Sequence, residues 1–334
     1  KLLDSKSSNG SQNSAKKVVC LIPRGEVIRN FVYSGTLKKI SENSDLSLLA
    51  VSANSEFDDF LKQNFAQINP LIEYDEKWIV RFQREIIDVA HGRWLWSQAA
   101  QHRWQQHDIA AKTPKQKAVR LAKKMISLPF SNNLGLKMLI KTERMSSRIF
   151  KSTEEYINLF KKIKPTLVFN GSHIHSRNAI QAVQAANWLK IPTATFIFSW
   201  DNLTSQGRIT LPYDYFLVWS EPLRKQLLQM YDWIKPENVF VTGTPQFDFH
   251  FRPEFYQSRE EFCQTIGANP ERPIVLYSTG MANHMPGEPE IVETIADILN
   301  EYDEAERPQL LVRVYPKDLT GRFDELKKRR PDIL

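Results

Sequence analysis

Four segments of the sequence place glycine, hydroxyl, histidine or acidic residues directly after a short apolar run. These segments are residues 170–177, 199–208, 241–248, and the pair formed by 277–280 and 313–318. Glycine lets a ligand approach the backbone, and the free N–H groups at the start of a following helix attract anions. In open α/β sheets, ligands bind beyond the carboxyl ends of the strands. The four segments are therefore candidates for the walls of one cleft between two domains.

The segment 199–208 supplies the candidate catalytic group. Asp201 follows Trp200 and is the only acidic residue between Glu155 and Asp214. A carboxylate beside an indole ring can be partly shielded from water, which favours it as a general base. A role as the cap of a helix or turn explains the same residue equally well, so both interpretations stay open.

The other candidates follow from their positions at the strand ends. Residues that could line the cleft or contact an acceptor are His173, His175, Trp200, Asn202 and Arg208. Residues whose amides, hydroxyl groups or charges suit a pyrophosphate donor are Gly243, Thr244, Ser278, Thr279, Gly280, Arg313 and Lys317. Ordinary loop histidines, a plain turn at 241–248 and a solvated Lys317 are the alternatives. The spacing of His173 and His175 does not suit a metal site on a helix.

Several familiar signatures do not occur in the sequence. It contains no P-loop, no Gly-x-Gly-x-x-Gly after the first strand and no Gly-x-Ser-x-Gly elbow, which argues against a kinase, a dehydrogenase or a serine hydrolase. It has no Asp-x-Asp motif, and its two cysteines, Cys20 and Cys263, lie among apolar neighbours as core residues do. We therefore expect no metal site, no cofactor and a reducing, cytoplasmic location.

An alternation of strands and helices must position these segments. Apolar runs predict strands at 18–22, 46–51, 68–72, 167–169, 193–198, 215–219, 239–241, 274–277 and 310–314. Single helices between strands imply parallel pairing with right-handed crossovers. Residues 76–150 differ, because they are mostly helical and rich in tryptophan, lysine and arginine. This stretch is interpreted as a helical insertion.

The pattern predicts an α/β protein with two Rossmann-like domains. The 334 residues divide into a disordered lead at 1–16, a first domain at 17–250 with the insertion at about 76–150, and a second domain at 251–334. A doubly wound half generally has five or six strands. The second half shows two, so we expect it to be truncated. Ser258 followed by Glu261 predicts a capping box at the start of its first helix.

The net charge of +7 is concentrated in the basic region Lys112–Lys151, which holds eleven lysines and arginines and one acid, Glu143. Apolar residues are interleaved with these cations, as in segments that lie on anionic lipid. Packing of the apolar residues on the first domain, with solvated lysines, is the alternative. Nucleic acid is not expected as a partner, because no recognised binding motif accompanies the charge. Contact with lipid would place the protein at the inner face of the cell membrane.

At these motifs the sequence resembles GT-B enzymes, especially CDP-glycerol glycerophosphotransferase-like proteins. Residues 241–248, VTGTPQFD, look like the Val-Thr-Gly-x-Pro-x-x-Asp signature that closes the first domain of that family. Residues 273–279 resemble the first strand of its donor domain, and 311–318 resemble its Arg-x-His-Pro segment with Tyr315 in place of histidine. Residues 199–202, SWDN, stand where the family has the Trp-His-Gly-Thr motif that supplies its base.

The layout from Phe169 to Gln206 is also similar to UDP-N-acetylglucosamine 2-epimerases. Both have a strand, a glycine turn, an alanine-rich helix and an Ile-Pro-x-Ala strand, although the Glu-Ala-Gly-Leu-Arg of the epimerases is missing here. The two resemblances together cover about Thr166 to Asp318.

The resemblance implies a metal-independent enzyme that transfers a sugar or polyol phosphate from a nucleotide-activated donor to a cell-surface glycan or a lipid-linked acceptor. The nucleotide sugar or CDP-polyol would be a co-substrate rather than a cofactor. Asp201 would deprotonate the acceptor, while Arg313, Lys317 and the amides of residues 278–280 would stabilise the leaving group. A nucleotide-sugar 2-epimerase and a non-catalytic GT-B-like binding protein are the alternatives.

Overall fold

A seven-stranded parallel sheet organises the larger part of the molecule, with the order β3-β2-β1-β4-β5-β6-β7. Its strands are β1 (Lys17–Ile22), β2 (Asp45–Ala50), β3 (Gln67–Pro70), β4 (Leu167–Asn170), β5 (Thr193–Ile197), β6 (Tyr215–Val218) and β7 (Val239–Val241). The chain runs outward from β1 in one direction and from β4 in the other, so the order reverses between these two strands. This arrangement confirms the predicted α/β class and places a topological switch point at β1 and β4.

The computed structural model describes residues 16–52, 54–174 and 177–334. The predicted disordered lead therefore lies outside the described residues except for Lys16. The chain divides into two units, Lys1–Phe249 and His250–Leu334. The sequence placed the domain boundary between residues 250 and 251.

The helices of the first unit lie between successive strands, and five of them, α4 to α8, follow β3 in succession. They are α1 (Gly25–Val27), α2 (Thr36–Ser41), α3 (Ser55–Asn64), α4 (Trp78–Leu95), α5 (Gln98–Ala110), α6 (Pro114–Ser127), α7 (Asn133–Ile149), α8 (Glu154–Ile163), α9 (Arg177–Trp188), α10 (Asn202–Ser205) and α11 (Glu221–Met230). A π-helix, Ile28–Tyr33, continues α1, and short 3-10 helices occupy Leu128–Phe130, Pro236–Asn238, Pro245–Phe251 and Pro253–Phe255. Helices α4 to α7 form the insertion within the predicted stretch 76–150.

Side chains of β1 alternate between two apolar layers, one on each face of the sheet. Val19 and Leu21 belong to the layer that contains the alanine-rich side of α9. Cys20 and Ile22 belong to the opposite layer, with residues from α1, the π-helix and α3. Cys20 and Cys263 are both buried and free, which confirms them as core residues.

The insertion is fastened to the sheet by a buried polar network. Arg84 of α4 forms ion pairs with Glu76 and, at 2.7 Å, with Glu143 of α7. Gln184 of α9 donates to Glu143 at 3.1 Å and accepts from Ser147 at 2.6 Å. Burial opposes the charge of Arg84, but Glu143 and Glu76 more than offset it and hold the pKa of this guanidinium above its ordinary value. The network therefore fixes α4 and α7 against α9.

The second unit is small. Its strands β8 (Ile274–Ser278) and β9 (Gln309–Arg313) pair in parallel, and its helices are α12 (Arg259–Ile266), α13 (Glu288–Asn300) and α14 (Asp324–Arg329). Ser258 and Glu261 form the reciprocal hydrogen bonds of a capping box, as predicted. In the parts of the chain that the structure describes, no helix is long and apolar enough to cross a membrane.

Close packing at the end of β4 generates a prediction for stability. A Cβ atom at Gly171 would lie 2.4 Å from Cγ1 of Val27 in α1. Because overpacking of this kind strains the backbone, we expect Gly171→Ala to lower the free energy of unfolding by about 1–3 kcal/mol. Urea denaturation measures this loss. If the contact with Val27 is the cause, the penalty should shrink in a Val27→Ala background, and an equal penalty in both backgrounds would contradict it.

Candidate active site

All seven strands are parallel, so the loops that follow β1, β4, β5, β6 and β7 leave the same edge of the sheet. The structure thus brings the described part of the first predicted segment, 170–174, and the segments 199–208 and 241–248 to one edge of the first unit. The insertion begins at this edge as well, since it follows β3.

The end of β4 is held rigidly by hydrogen bonds. Asn170 is fully buried, and its Nδ2 donates to the hydroxyl group of Tyr213 at 2.7 Å. The carbonyl of Asn170 accepts from Thr195 Oγ1 at 2.9 Å. His173 follows with its Nδ1 at 3.3 Å from the carbonyl oxygen of Phe196. His175, the other candidate of this segment, lies outside the described residues.

Asp201 lies at the start of α10, just after β5, and binds hydroxyl groups on both sides. Its Oδ1 accepts from Ser199 Oγ at 2.5 Å, and its Oδ2 accepts from Ser205 Oγ at 2.7 Å. The candidate Asn202 is buried, and its Oδ1 accepts from the backbone N–H of Ser199 at 3.1 Å. Trp200 is 72% exposed, so this indole gives the carboxylate little shelter from water. These hydrogen bonds let Asp201 stabilise the turn that joins Ser199 to Ser205.

Arg208, at the end of the same loop, is a buried cation. It is 6% exposed, and its guanidinium carbon lies 5.1 Å from the ring centre of Trp94 and 5.0 Å from that of Tyr231. Its Nε and Nη1 have no hydrogen-bond partner among the described residues. Burial is the largest influence on this group and lowers its pKa. Aromatic faces compensate only part of the cost of burying a cation, so Arg208 is suited to bind an anionic group.

His91 of α4 lies beside this arginine. It is fully buried and stacks on Trp94, with ring centres 5.4 Å apart. Burial, together with the positive charges of Arg208 and Arg103, lowers the pKa of His91 to about 3. The imidazole is therefore neutral at physiological pH and adds no charge next to Arg208.

Asp88 lies one helical turn before His91 and contacts the loop after β5. A Cβ atom at Gly207 would lie 3.2 Å from Asp88 Oδ1. Asp88 is exposed to solvent, although the neighbouring protein still desolvates its carboxyl group. This desolvation raises the pKa of Asp88 to about 6, with Glu85 adding to the rise and Arg103 and Arg177 opposing it. A carboxyl group of this kind can exchange protons near neutral pH.

We refer to Asp88, His91, Trp94, Gly207 and Arg208 together as the β5-loop site. The insertion supplies three of its members from α4, and Ser97 of the following turn donates to the carbonyl of Thr204 at 2.6 Å. The site therefore depends on how the insertion docks onto the loop after β5.

Sequence reasoning predicted Arg208 but missed Asp88 and His91. Both lie in the run IIDVAHG, residues 86–92, where an acid and a histidine three positions apart interrupt an apolar stretch. That spacing puts them on one side of a helix and was the available signal.

The turn after β7 contains the candidates Gly243 and Thr244. Gly243 has a φ of +72°, a left-handed conformation that favours glycine. The Oγ1 of Thr244 is buried and has no partner among the described residues. Gln246 accepts from Arg29, which follows β1, at 2.6 Å, so this turn contacts the loop at the centre of the sheet.

In the second unit the two candidate strand ends are neighbours, as predicted. Ser278 pairs in register with Arg313, and the Oγ1 of Thr279 accepts from the backbone N–H of Tyr315 at 2.9 Å. Arg313 and Lys317 are exposed, and neither forms an ion pair with another residue in the described part of the chain.

The backbone N–H of Gly280, predicted to bind a pyrophosphate, donates to the carboxylate of Glu288 at 2.8 and 3.0 Å. Glu288 is 2% exposed and pairs with Arg322 at 2.6 Å. Arg322 also pairs with Asp318 at 2.7 Å. The turn at Gly280 therefore binds a carboxylate, that of Glu288 in the same chain. No local pattern predicted this contact, because Glu288 lies eight residues downstream at the start of α13.

No group of three or more histidine, cysteine, aspartate or glutamate side chains in the described residues is arranged to hold a metal ion. No family model matches the sequence, and no curated protein matches it.

Solved structures match over nearly the whole chain. UDP-GlcNAc 2-epimerase from Neisseria meningitidis, bound to UDP-GlcNAc, matches with a TM-score of 0.52 and 11% identity, over 96% of this chain and 70% of that one. A putative UDP-N-acetylglucosamine 2-epimerase from Listeria monocytogenes matches with a TM-score of 0.51 and 11% identity, over 94% and 66%. A glycosyltransferase from Rickettsia africae matches with a TM-score of 0.48 and 12% identity, over 96% and 65%.

The chain shares the fold of these epimerases. The first two matches carry that conclusion, and at their level of identity they show the fold alone. The resemblance to UDP-N-acetylglucosamine 2-epimerases that the sequence suggested is thereby confirmed for the fold.

The raised pKa of Asp88 predicts a pH dependence of stability. An aspartate in an unfolded chain titrates near pH 3.9. Between about pH 4 and pH 6 the folded state therefore binds more protons at this site than the unfolded state, and the contribution of Asp88 to stability falls as the pH rises. Asp88→Asn removes this contribution, so the stability of the variant relative to wild type should increase across this interval. Urea midpoints from pH 4 to pH 7 measure the difference, with Asp201→Asn as the matched control. A constant difference between Asp88→Asn and wild type would contradict the assignment.

Proposed function

We propose that this chain is an enzyme that acts on a nucleotide-activated sugar and transfers the sugar, or a polyol phosphate, to a hydroxyl group of an acceptor. The observation that carries the proposal is the β5-loop site, where the solvent-accessible carboxyl group of Asp88 in α4, with a pKa of about 6, lies close to Gly207 of the loop that contains the buried Arg208, whose Nε and Nη1 have no partner among the described residues. The fold supports it, since the Neisseria meningitidis structure that shares this fold is bound to UDP-GlcNAc.

Asp88 is the general base of this proposal. At pH 7 a carboxyl group with a pKa of about 6 is mostly ionised, and it is a stronger base than an ordinary aspartate. It accepts the proton of the acceptor hydroxyl as that oxygen attacks the donor. The bond to the nucleotide then breaks, and the nucleotide leaves with the bonding electrons. Arg208 holds an anionic group of the bound substrate. His91 stacks on Trp94, the ring that Arg208 also contacts, and because this imidazole is neutral it does not compete with Arg208 for the anionic group.

Asp201, the base predicted from the sequence, is the alternative within this proposal. Both of its carboxylate oxygens already accept hydrogen bonds from serine hydroxyl groups, which suits a residue that positions the loop. The two carboxylates are separable by experiment.

The donor would be bound by residues that were predicted from the sequence and whose charged or polar groups have no partner among the described residues. In the second unit, Arg313 and Lys317 present charges that form no ion pair with another described residue. Gly280 contributes its amide only if Glu288 releases it.

A nucleotide-sugar 2-epimerase is the second candidate, because the Neisseria meningitidis and Listeria monocytogenes structures, each with a TM-score above 0.5, carry that name. In an epimerase a carboxyl group such as Asp88 would take a proton from a sugar carbon rather than from a hydroxyl group. Such a reaction needs no acceptor, which distinguishes the two candidates.

The test is product analysis in D2O with a panel of nucleotide sugars, with and without hydroxyl acceptors. A transferase joins the sugar to the acceptor and releases the nucleotide in step with it. An epimerase forms the epimer without an acceptor and incorporates deuterium at the inverted carbon. Nucleotide binding without either product would overturn both candidates in favour of a binding protein.

Variants of the two carboxylates then assign the base. We expect Asp88→Asn to lower turnover about a hundredfold or more, because the proton acceptor is lost, while nucleotide affinity stays within about twofold. The wild-type rate should fall below about pH 6, as Asp88 becomes protonated. Asp201→Asn is the matched control and should retain that pH profile. A fully active Asp88→Asn variant, or loss of the pH dependence of the rate only in Asp201→Asn, would identify Asp201 as the general base instead.

A further inference from the structure

The outward sides of α6 and α7 expose large apolar side chains. We call them, with the turn between the two helices, the α6–α7 surface. Seven of these side chains are 42–70% exposed: Leu121, Met125, Leu128, Leu134, Met138, Met145 and Ile149. Isolated exposed apolar residues are ordinary, but a concentration of them on two consecutive helices marks an interaction surface.

Helix α6 has its polar residues on the side that faces the protein. Ser127 is fully buried, Lys123 pairs with Glu85 of α4 at 2.9 Å, and Lys124 pairs with Asp108 at 2.7 Å. Leu121, Met125 and Leu128, spaced by four and three residues, share the opposite side. This arrangement is the reverse of that in an ordinary surface helix, which buries its apolar side.

Helix α7 repeats the pattern. Glu143 and Ser147 are buried, whereas Leu134, Met138 and Met145 recur at the spacing of one helix face and are exposed. Both helices pack against α4, so their outward sides both face away from it. The alternative considered for the sequence, in which the apolar residues pack on the first domain, does not describe the exposed side chains of α6 and α7. Leu136 is fully buried, and Phe130, Leu139 and Ile140 are partly buried.

The charge of this surface has one sign. The only acid in the basic region Lys112–Lys151 is Glu143, which is buried and bound to Arg84. Six cations of the region are exposed and form no ion pair with another residue in the described ranges: Lys112, Lys115, Lys117, Lys141, Arg148 and Lys151. The α6–α7 surface therefore presents apolar side chains and cations with no exposed carboxylate of its own.

We propose that the α6–α7 surface binds the surface of an anionic lipid bilayer. The leucine, methionine and isoleucine side chains would enter the boundary between headgroups and acyl chains, and the lysines would remain with the phosphates. A second copy of the chain fits less well, because a two-fold contact would bring these unpaired cations together. An anionic surface satisfies both the charge and the apolar side chains, independently of the reaction that the protein catalyses.

Co-sedimentation of the full chain with vesicles tests the proposal. We expect binding to vesicles of phosphatidylcholine with about one third phosphatidylglycerol, weak binding to phosphatidylcholine alone, and loss of binding as salt rises. Each lysine near an anionic surface strengthens partitioning about fivefold. The triple variant Lys115→Gln/Lys117→Gln/Lys141→Gln should thus bind about a hundredfold more weakly. Leu134→Ser/Met138→Ser should also weaken binding, because apolar burial is lost.

The matched control is Lys38→Gln/Lys39→Gln/Lys161→Gln, which removes three exposed lysines from α2 and α8. It should bind the anionic vesicles like wild type. Thermal unfolding of each variant checks that the exposed substitutions leave the fold intact. Equal losses in the control and the α6–α7 variants, or equal binding to both kinds of vesicle, would overturn the proposal. A dimer in sedimentation velocity that Leu134→Ser/Met138→Ser dissociates, without vesicle binding, would assign the surface to a second copy.

Discussion

The buried ion pairs of Arg84 with Glu76 and Glu143 fix the helix on which the rest of the functional account depends. Arg84, Asp88 and His91 recur at four and three residues along α4, so one side of this helix carries all three. Glu143 and Gln184 tie the Arg84 end of that side to α7 and α9. A half-satisfied network of buried charges would be costly, whereas this one pairs each carboxylate and so holds α4 in a single orientation. Asp88 and His91 are thereby presented to the loop after β5.

This docking explains how ordinary residues acquire unusual properties at the β5-loop site. The loop backbone at Gly207 approaches Asp88, and the surrounding protein raises the pKa of that carboxyl group. Arg208 is buried between Trp94 and Tyr231, and its Nε and Nη1 have no hydrogen-bond partner in the described residues. Raised carboxyl pKa values and unpaired buried cations destabilise a fold, and such costs are concentrated at functional sites. Helix α4 also supports α6 and α7, so it links the proposed reaction site to the two helices of the α6–α7 surface.

Much of the fold was predictable because strong local signals agreed with the tertiary structure. Short apolar runs separated by single helices predicted the parallel strands, and Ser258 with Glu261 predicted a capping box that the structure contains. The strand predicted at 68–72 is β3, which ends at Pro70 and lies at an edge of the sheet, where proline is tolerated. Periodicity and capping are properties of neighbouring residues, so the sequence reports them directly.

The site was less predictable, because it depends on contacts between distant residues. Arg208 was identified from its place after a strand, but its partners Trp94 and His91 lie more than a hundred positions earlier in the insertion. The amide of Gly280 looked available for a phosphate until the structure placed Glu288 on it. Asp201 was singled out as an isolated acid, and the sequence could not show that two serine hydroxyl groups engage it. Pairing, burial and pKa shifts of this kind are set by tertiary structure.

The central claim is that substrate binds where α4 meets the loop after β5, and amide hydrogen exchange tests it most directly. Exchange rates report local opening, so a ligand protects the segments that it contacts and closes. With saturating UDP-GlcNAc or another nucleotide sugar that binds, the account predicts slower exchange in residues 84–104 and 199–209. At equal occupancy by the ligand, residues 199–209 should be less protected in the Arg208→Gln variant than in the wild type. Ligand binding that leaves exchange in both segments unchanged would contradict the account.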